Sequence, residues 1–345
     1  MCVSSRCDAV EAGWGREDER STLMRPISWI VLVLAAAGCG DGTAPLADLS
    51  ELRSSLALVD TVFASPLVQS LGFFELVPPL PAPSAGAPLV PDSLLGKTLA
   101  WSCAAQRYGV TGDSGAPATA VRFVLYQRAP DGPIACAPTA VGRLDLFDAS
   151  TPGTTAVRGV ATGPSGGAPL VAYTISHNAT DAQGVAGATG FVSGGQQRLD
   201  FQVSGAPGSA FNTRVATLQL DASAADLHAV LHHAAVMGVD TYSDDLDLSV
   251  RHAALSTELK GSVGWFNTFR SWDEIVSVNG EPFAKVGGSA VPDTEGPTIT
   301  PLGRPIFLTS EERQILLDFV GAPRTIQHGL ATVLGAGAHL VTIPL

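Results

Sequence analysis

The sequence predicts an α+β fold that is mostly β: a large curved antiparallel meander (open, half-barrel or sandwich), with amphipathic N-terminal and C-terminal helices packed against it. Three observations predict it. Charged residues are 15% of the chain, against about 25% in ordinary domains, and small or β-branched side chains fill the space, a composition that favours sheet and turn. Between residues 97 and 286, alternating runs are separated by Gly, Pro, Asn, Asp and Ser clusters roughly every 10 to 15 residues. Helical spacing of apolar residues occurs at the two ends of the domain instead.

The elements follow in chain order. Asp48 and Glu51 form a capping-box pattern ahead of Leu49, Leu52, Leu56, Val59 and Phe63, which predicts a helix over 49–63. Ser65-Pro66 places an N-cap before a first-turn proline and opens a second, short helix ending at Gly72. The prolines at 78, 79, 81 and 83 lack backbone donors, so 73–96 reads as a linker. The clearest strand is 198–204, with Leu199, Phe201 and Val203 on one face and polar residues on the other. Similar runs are 121–127, 143–147, 170–176, 214–220, 245–250, 256–263 and 275–278, and Asn279-Gly280 is a strong hairpin signal. Thr309 with Glu312 is a second capping box; Ile315, Leu316 and Phe319 follow, and Gly321 reads as the close of a C-terminal helix. So many strands must curl or split, since strongly twisted open sheets rarely exceed about 10. The domain is expected over 48–345: helices 48–72, linker 73–96, sheet 97–290, helix and tail 291–345.

Upstream lies the one apolar run suited to targeting, residues 27–37, preceded by Arg25 and followed by Gly38-Cys39. At about 11 residues it is too short for a bilayer core of ~30 Å, so it reads as an export signal. Residues 1–23 are acidic and mixed in charge, unlike a signal n-region, which puts the expected start at Met24 and the signal region at 1–38. The stretch Ala36-Ala37-Gly38-Cys39 resembles the lipobox of bacterial lipoproteins, with Ala36 where that family more often has Leu. The resemblance implies cleavage before Cys39, a lipid on Cys39, a short tether over 39–47 and a place in the cell envelope, on the periplasmic side or at the cell surface. The alternative is an ordinary secretory signal with a coincidental cysteine.

Of the five cysteines, Cys2 and Cys7 precede the expected start and Cys39 would carry lipid, leaving Cys103 and Cys136. An exported compartment permits a disulfide between them, the alternative being two buried thiols. The net charge of −12, with only three lysines and no basic cluster, disfavours nucleic acid and any attraction to an anionic membrane surface, so the expected membrane contact is the lipid itself.

Chemistry-bearing groups are few. His228, His232 and His233 suggest a metal if 224–237 is a helix, because His228 and His232 would then share a face; as a strand, the segment would point both to solvent. Asp240, Asp244, Asp245 and Asp247 gather in what reads as a turn, and hard oxygens suit calcium, although EF-hand spacing is lacking. Trp265, Phe266, Phe269 and Trp272 concentrate aromatics that would line a ligand mouth or belong to the core. No GxSxG elbow, GxxxxGK[ST] loop or GxGxxG turn occurs, and no cofactor is implied. The leading expectation is a non-enzymatic envelope lipoprotein that binds a lipid, another apolar small molecule or an envelope protein. A structural or adhesive surface module and a metal-dependent hydrolase using 228–233 and 240–247 are the alternatives.

Overall fold

A computed structural model describes residues 49–341 except 77–79, 81–87, 114, 128–138, 179–185, 195, 208–212, 238–240, 267–268, 291–295 and 303–307. The side chains of residues 75, 76, 206, 207, 213, 214, 237, 266 and 290 are also outside the description. The predicted export signal, Met24, Cys39, Asp48, Cys136 and Asp240 therefore lie outside it. Cys103 is disulfide-bonded.

Three helices open the described chain: α1 (Ser50–Phe63), α2 (Pro66–Leu71) and α3 (Phe73–Leu76). α1 begins where its apolar spacing predicts, and Leu52, Val59, Val62 and Phe63 supply its buried stripe. Within the predicted linker, Leu80, Leu89 and Val90 are buried in the main core.

Fifteen strands follow among the described residues. They are β1 (Thr98–Ser102), β2 (Arg107–Val110), β3 (Ala120–Tyr126), β4 (Ala140–Asp148), β5 (Thr154–Gly163), β6 (Gly166–Asn178), β7 (Ala186–Gly194) and β8 (Gln197–Pro207). The second half comprises β9 (Thr213–Ala222), β10 (Leu227–Met237), β11 (Thr241–His252), β12 (Leu255–Phe266), β13 (Phe269–Val278), β14 (Glu281–Ala290) and β15 (Thr298–Pro301). From β3 to β15 each strand pairs antiparallel with the next in sequence, a continuous meander. β1 departs from it by lying parallel to β3, with β2 beyond it. The sheet does not close; its edges are β2 and β15, each only four residues long, which limits the unpaired backbone left for another chain to join. Asn279 (φ 51°) and Gly280 (φ 84°) form the tight hairpin between β13 and β14.

The helices cover one face of this sheet. α4 (Ser310–Val341) starts at the predicted capping box: the Glu312 amide donates to Thr309 Oγ1 (3.1 Å) and the Thr309 amide to Glu312 Oε2 (2.7 Å). It does not stop at Gly321. It continues through Pro323 to Val341, because Ile326, Leu330, Val333, Leu334, Leu340 and Val341 gain a buried face that outweighs one glycine and one lost amide. Progress along α4 tracks progress across the sheet. Residues 317–327 face β11–β13, and Gly337 lies over β5 and β6. Ala47–Leu345 make one compact unit with a single main core between this helical layer and the sheet.

Candidate functional site

Strand parity sorts the chemistry-bearing residues. In β11 the inward positions are Tyr242, Asp244, Leu246, Leu248 and Val250; in β12 they include Leu259, Gly261, Val263 and Trp265. In β13 Arg270, Trp272, Glu274, Val276 and Val278 point the same way. Register aligns Tyr242, Trp265 and Arg270 in one cross-strand row, Asp244, Val263 and Trp272 in the next, then Leu246, Gly261 and Glu274. The row of Leu248, Leu259 and Val276 is wholly apolar. The inner face thus changes along the strands from a sealed aliphatic floor to a polar and aromatic upper part.

Over that upper part α4 leaves a cavity of about 550 Å³. Trp265, Trp272, Val263 and Leu246 wall it from the sheet, and Leu317, Val320, Gly321, Pro323, Arg324 and Gln327 from the helix. Its polar groups are under-satisfied. Tyr242 donates its hydroxyl to Asp244 Oδ2 (2.9 Å), but Asp244, 4% exposed, has no hydrogen bond at Oδ1. His233, inward-facing on β10, has its Nδ1 3.4 Å from that oxygen, also without a hydrogen bond. Arg270 Nε and Gln327 Nε2 are buried and unpartnered as well. Burial and the adjacent Asp244 carboxylate push the Tyr242 phenol above its ordinary range.

Immediately below, Glu274 is fully buried with both carboxylate oxygens unpartnered, and burial raises it from an ordinary 4.5 to about 7. Gly261 opposite it has φ 150°, and an added Cβ would stand 2.1 Å from the Asp273 carbonyl oxygen, so β12 and β13 approach there as only glycine permits.

A second cavity, about 250 Å³, lies between α1, α4 and the inner face of β10 and β11 and shares Leu317 and Gly321 with the first. Asp60 and Asp318 line it, and desolvation followed by repulsion from Asp318 raises the Asp60 carboxyl. Beside it Ser55 Oγ is 2.9 Å from His252 Nδ1. The serine donates to the Glu51 carbonyl (2.9 Å), and the same histidine nitrogen is 2.9 Å from that carbonyl. These contacts tie α1 to β11.

The sequence-derived candidates separate accordingly. Residues 227–237 are a strand, not a helix, and His228 and His232 both lie on its outer face, His228 2.5 Å from Asp221 and His232 2.9 Å from Thr217 Oγ1. Asp244, Asp245 and Asp247 belong to β11, not to a turn: Asp244 faces in, while Asp245 and Asp247 face out, Asp247 within 3.5 Å of Lys260. Alternation along a strand forces that split. Among the described residues no three His, Cys, Asp or Glu side chains come together as metal ligands. Trp265 and Trp272 line the larger cavity, Phe269 is 52% exposed on the outer face, and the Phe266 side chain lies outside the described residues. Arg270, Arg324, Gln327 and Glu274 were missed; the signal for Glu274 and Arg270 was their even spacing from the apolar Val276 and Val278. Compared with protein families, curated proteins and solved structures, the chain matches none.

Proposed function

We propose that this chain is a non-enzymatic envelope lipoprotein, held to a membrane through lipid on Cys39, whose β-rich domain binds an apolar small molecule between α4 and strands β11–β13. The observation that carries the ligand reading is the 550 Å³ cavity walled by Trp265 and Trp272. It falls within the roughly 300 to 1,000 Å³ of ligand pockets and shares their make-up, apolar walls with a few buried polar groups. The lipobox-like residues at 36–39 support the anchor. The hydrolase alternative has less support: parity divides each segment between the two faces, leaving His233 with Asp244 inside and His228, His232, Asp245 and Asp247 outside, and among the described residues no three such side chains gather as metal ligands.

The full chain carrying Cys39→Ser, which has no acyl group of its own to compete, tests the reading by native mass spectrometry before and after mild denaturation. A released small apolar molecule is expected. A bare polypeptide that also fails to take up long-chain amphiphiles would overturn the proposal in favour of a structural or adhesive module.

Gly321 offers an independent check. It lines the cavity, and a Cβ added there meets nothing within 4 Å. Gly321→Leu is expected to stabilise the helix by about 0.5 to 1 kcal/mol, because interior glycine is a poor helix former. The same substitution narrows the cavity and is expected to weaken ligand uptake at least about ten-fold. A stable variant with unchanged uptake would place the ligand elsewhere.

A further inference from the structure

We infer that the cavity recognises the anionic head of an amphiphile, a carboxylate or a phosphate ester, through Arg270, Arg324 and Gln327, with the apolar chain running along Trp265 and Trp272. This rests on the ligand-binding reading above and adds the chemistry of the head group.

Two guanidinium groups share one indole. Arg270 Cζ lies 3.8 Å from the Trp265 ring centroid and Arg324 Cζ 5.9 Å from the same ring. Stacking uses the flat face of a guanidinium and leaves its N–H groups, which lie in its plane, free to donate. In Arg270 that capacity is unused where it matters, since Nε is buried with no acceptor. Gln327 presents a second buried, unpartnered N–H donor on the helix side of the same cavity. Neither arginine makes an ion pair among the described residues. Two cations near one ring repel each other, and buried donors without acceptors are costly, so the arrangement is incomplete without an acceptor carrying negative charge.

The cavity's own carboxylate does not fill that role. Asp244 is on β11, two strands and about 10 Å from β13; its Oδ2 accepts from Tyr242 and its Oδ1 lies 3.4 Å from His233 Nδ1, on the side away from Arg270. Glu274 lies on the same strand as Arg270 but is sealed below the cavity. Among the described residues no carboxylate meets these donors, and the partner that fits them is a bound anion. A carboxylate or phosphate oxygen pair matches a guanidinium fork, whereas an alcohol supplies one weak acceptor.

Binding of decanoate, decyl phosphate and decanol to the full chain with Cys39→Ser, followed by tryptophan fluorescence at pH 8, tests the inference. At least one anion is expected to bind about ten-fold or more tightly than decanol. In Arg270→Gln/Arg324→Gln that preference is expected to fall to within about two-fold while decanol binding persists, which also shows that the variant is folded. Arg270→Lys, which keeps the charge but not the fork, is expected to retain part of the preference. The stronger anion distinguishes a fatty-acid-like from a phospholipid-like source. Decanol binding as tightly as both anions, or a preference surviving the double variant, would overturn the head-group assignment alone. Binding of none of the three would overturn the ligand-binding reading with it.

Discussion

Gly337→Leu is expected to destabilise the folded chain by about 3 kcal/mol, visible as a lower urea midpoint with an unchanged slope. A Cβ at Gly337 already stands 2.9 Å from each of Ile175, Tyr173 and Val157, and leucine adds three further carbons in the same space. The site has little room to relax because it is built from glycines. Gly159, Tyr173 and Gly190 form one cross-strand row on β5, β6 and β7, and a Cβ at Gly159 would fall 2.2 Å from the Tyr173 ring. A Cβ at Gly190 would meet the Ala172 carbonyl oxygen at 2.2 Å. Tyr173 therefore lies between two strand glycines, with Gly337 of the helix above it. A midpoint unchanged in Gly337→Leu would mean that α4 does not seat on β5 and β6.

That arrangement marks where sequence reading succeeds and fails. Strands such as β8 were legible because Leu199, Phe201 and Val203 alternate with polar residues, and the Thr309 to Glu312 box located the start of α4 within one residue. β7 was not legible. Its Ala-Gly-Ala-Thr-Gly stretch has turn-like composition, and it forms a strand only because flanking strands supply register and Tyr173 needs space. The end of α4 was misplaced for a related reason: Gly321 and Pro323 are local stop signals, and burial of residues far beyond them overrides both. At the candidate site, Trp265, Trp272 and Asp244 were noticed singly, as aromatics and as a carboxylate. Their union with Arg324 and Gln327 depends on a helix more than fifty residues later, which no spacing within β11–β13 encodes.

Glu274→Gln is expected to raise stability at pH 8 by about 3 kcal/mol and to leave it nearly unchanged at pH 4. In the unfolded chain this carboxyl ionises near 4.5, and in the folded chain near 7. Below 4.5 both states are protonated and the group costs nothing extra through ionisation. Between the two values the unfolded state gains from losing its proton while the folded state cannot, so about 1.4 kcal/mol of stability is lost per pH unit. Above 7 the loss is complete and constant. Glutamine keeps the shape and removes the ionisation, so the difference between the two proteins in urea titrations should grow from pH 4 to pH 7 and then level off. Parallel profiles for the two proteins would mean that Glu274 is ionised and compensated in the folded state. A group that weakens the fold at neutral pH, directly beneath the cavity, is the kind of local conflict that concentrates at binding sites.

The order of the elements also dictates how the molecule must be assembled. Each strand from β4 onward finds its partner in the strand made just before it, so the sheet can zip up one hairpin at a time as synthesis proceeds. The longest of its covering helices, α4, follows the fifteen described strands. Until those 32 residues dock, the apolar inner face of β5 and β6, including Val157 and Ile175, is open to water and to other chains. A translation stop before Ser310 would thus yield a sheet with a bare greasy side, a substrate for chaperones and proteases, while the complete chain hides it in a single closing step.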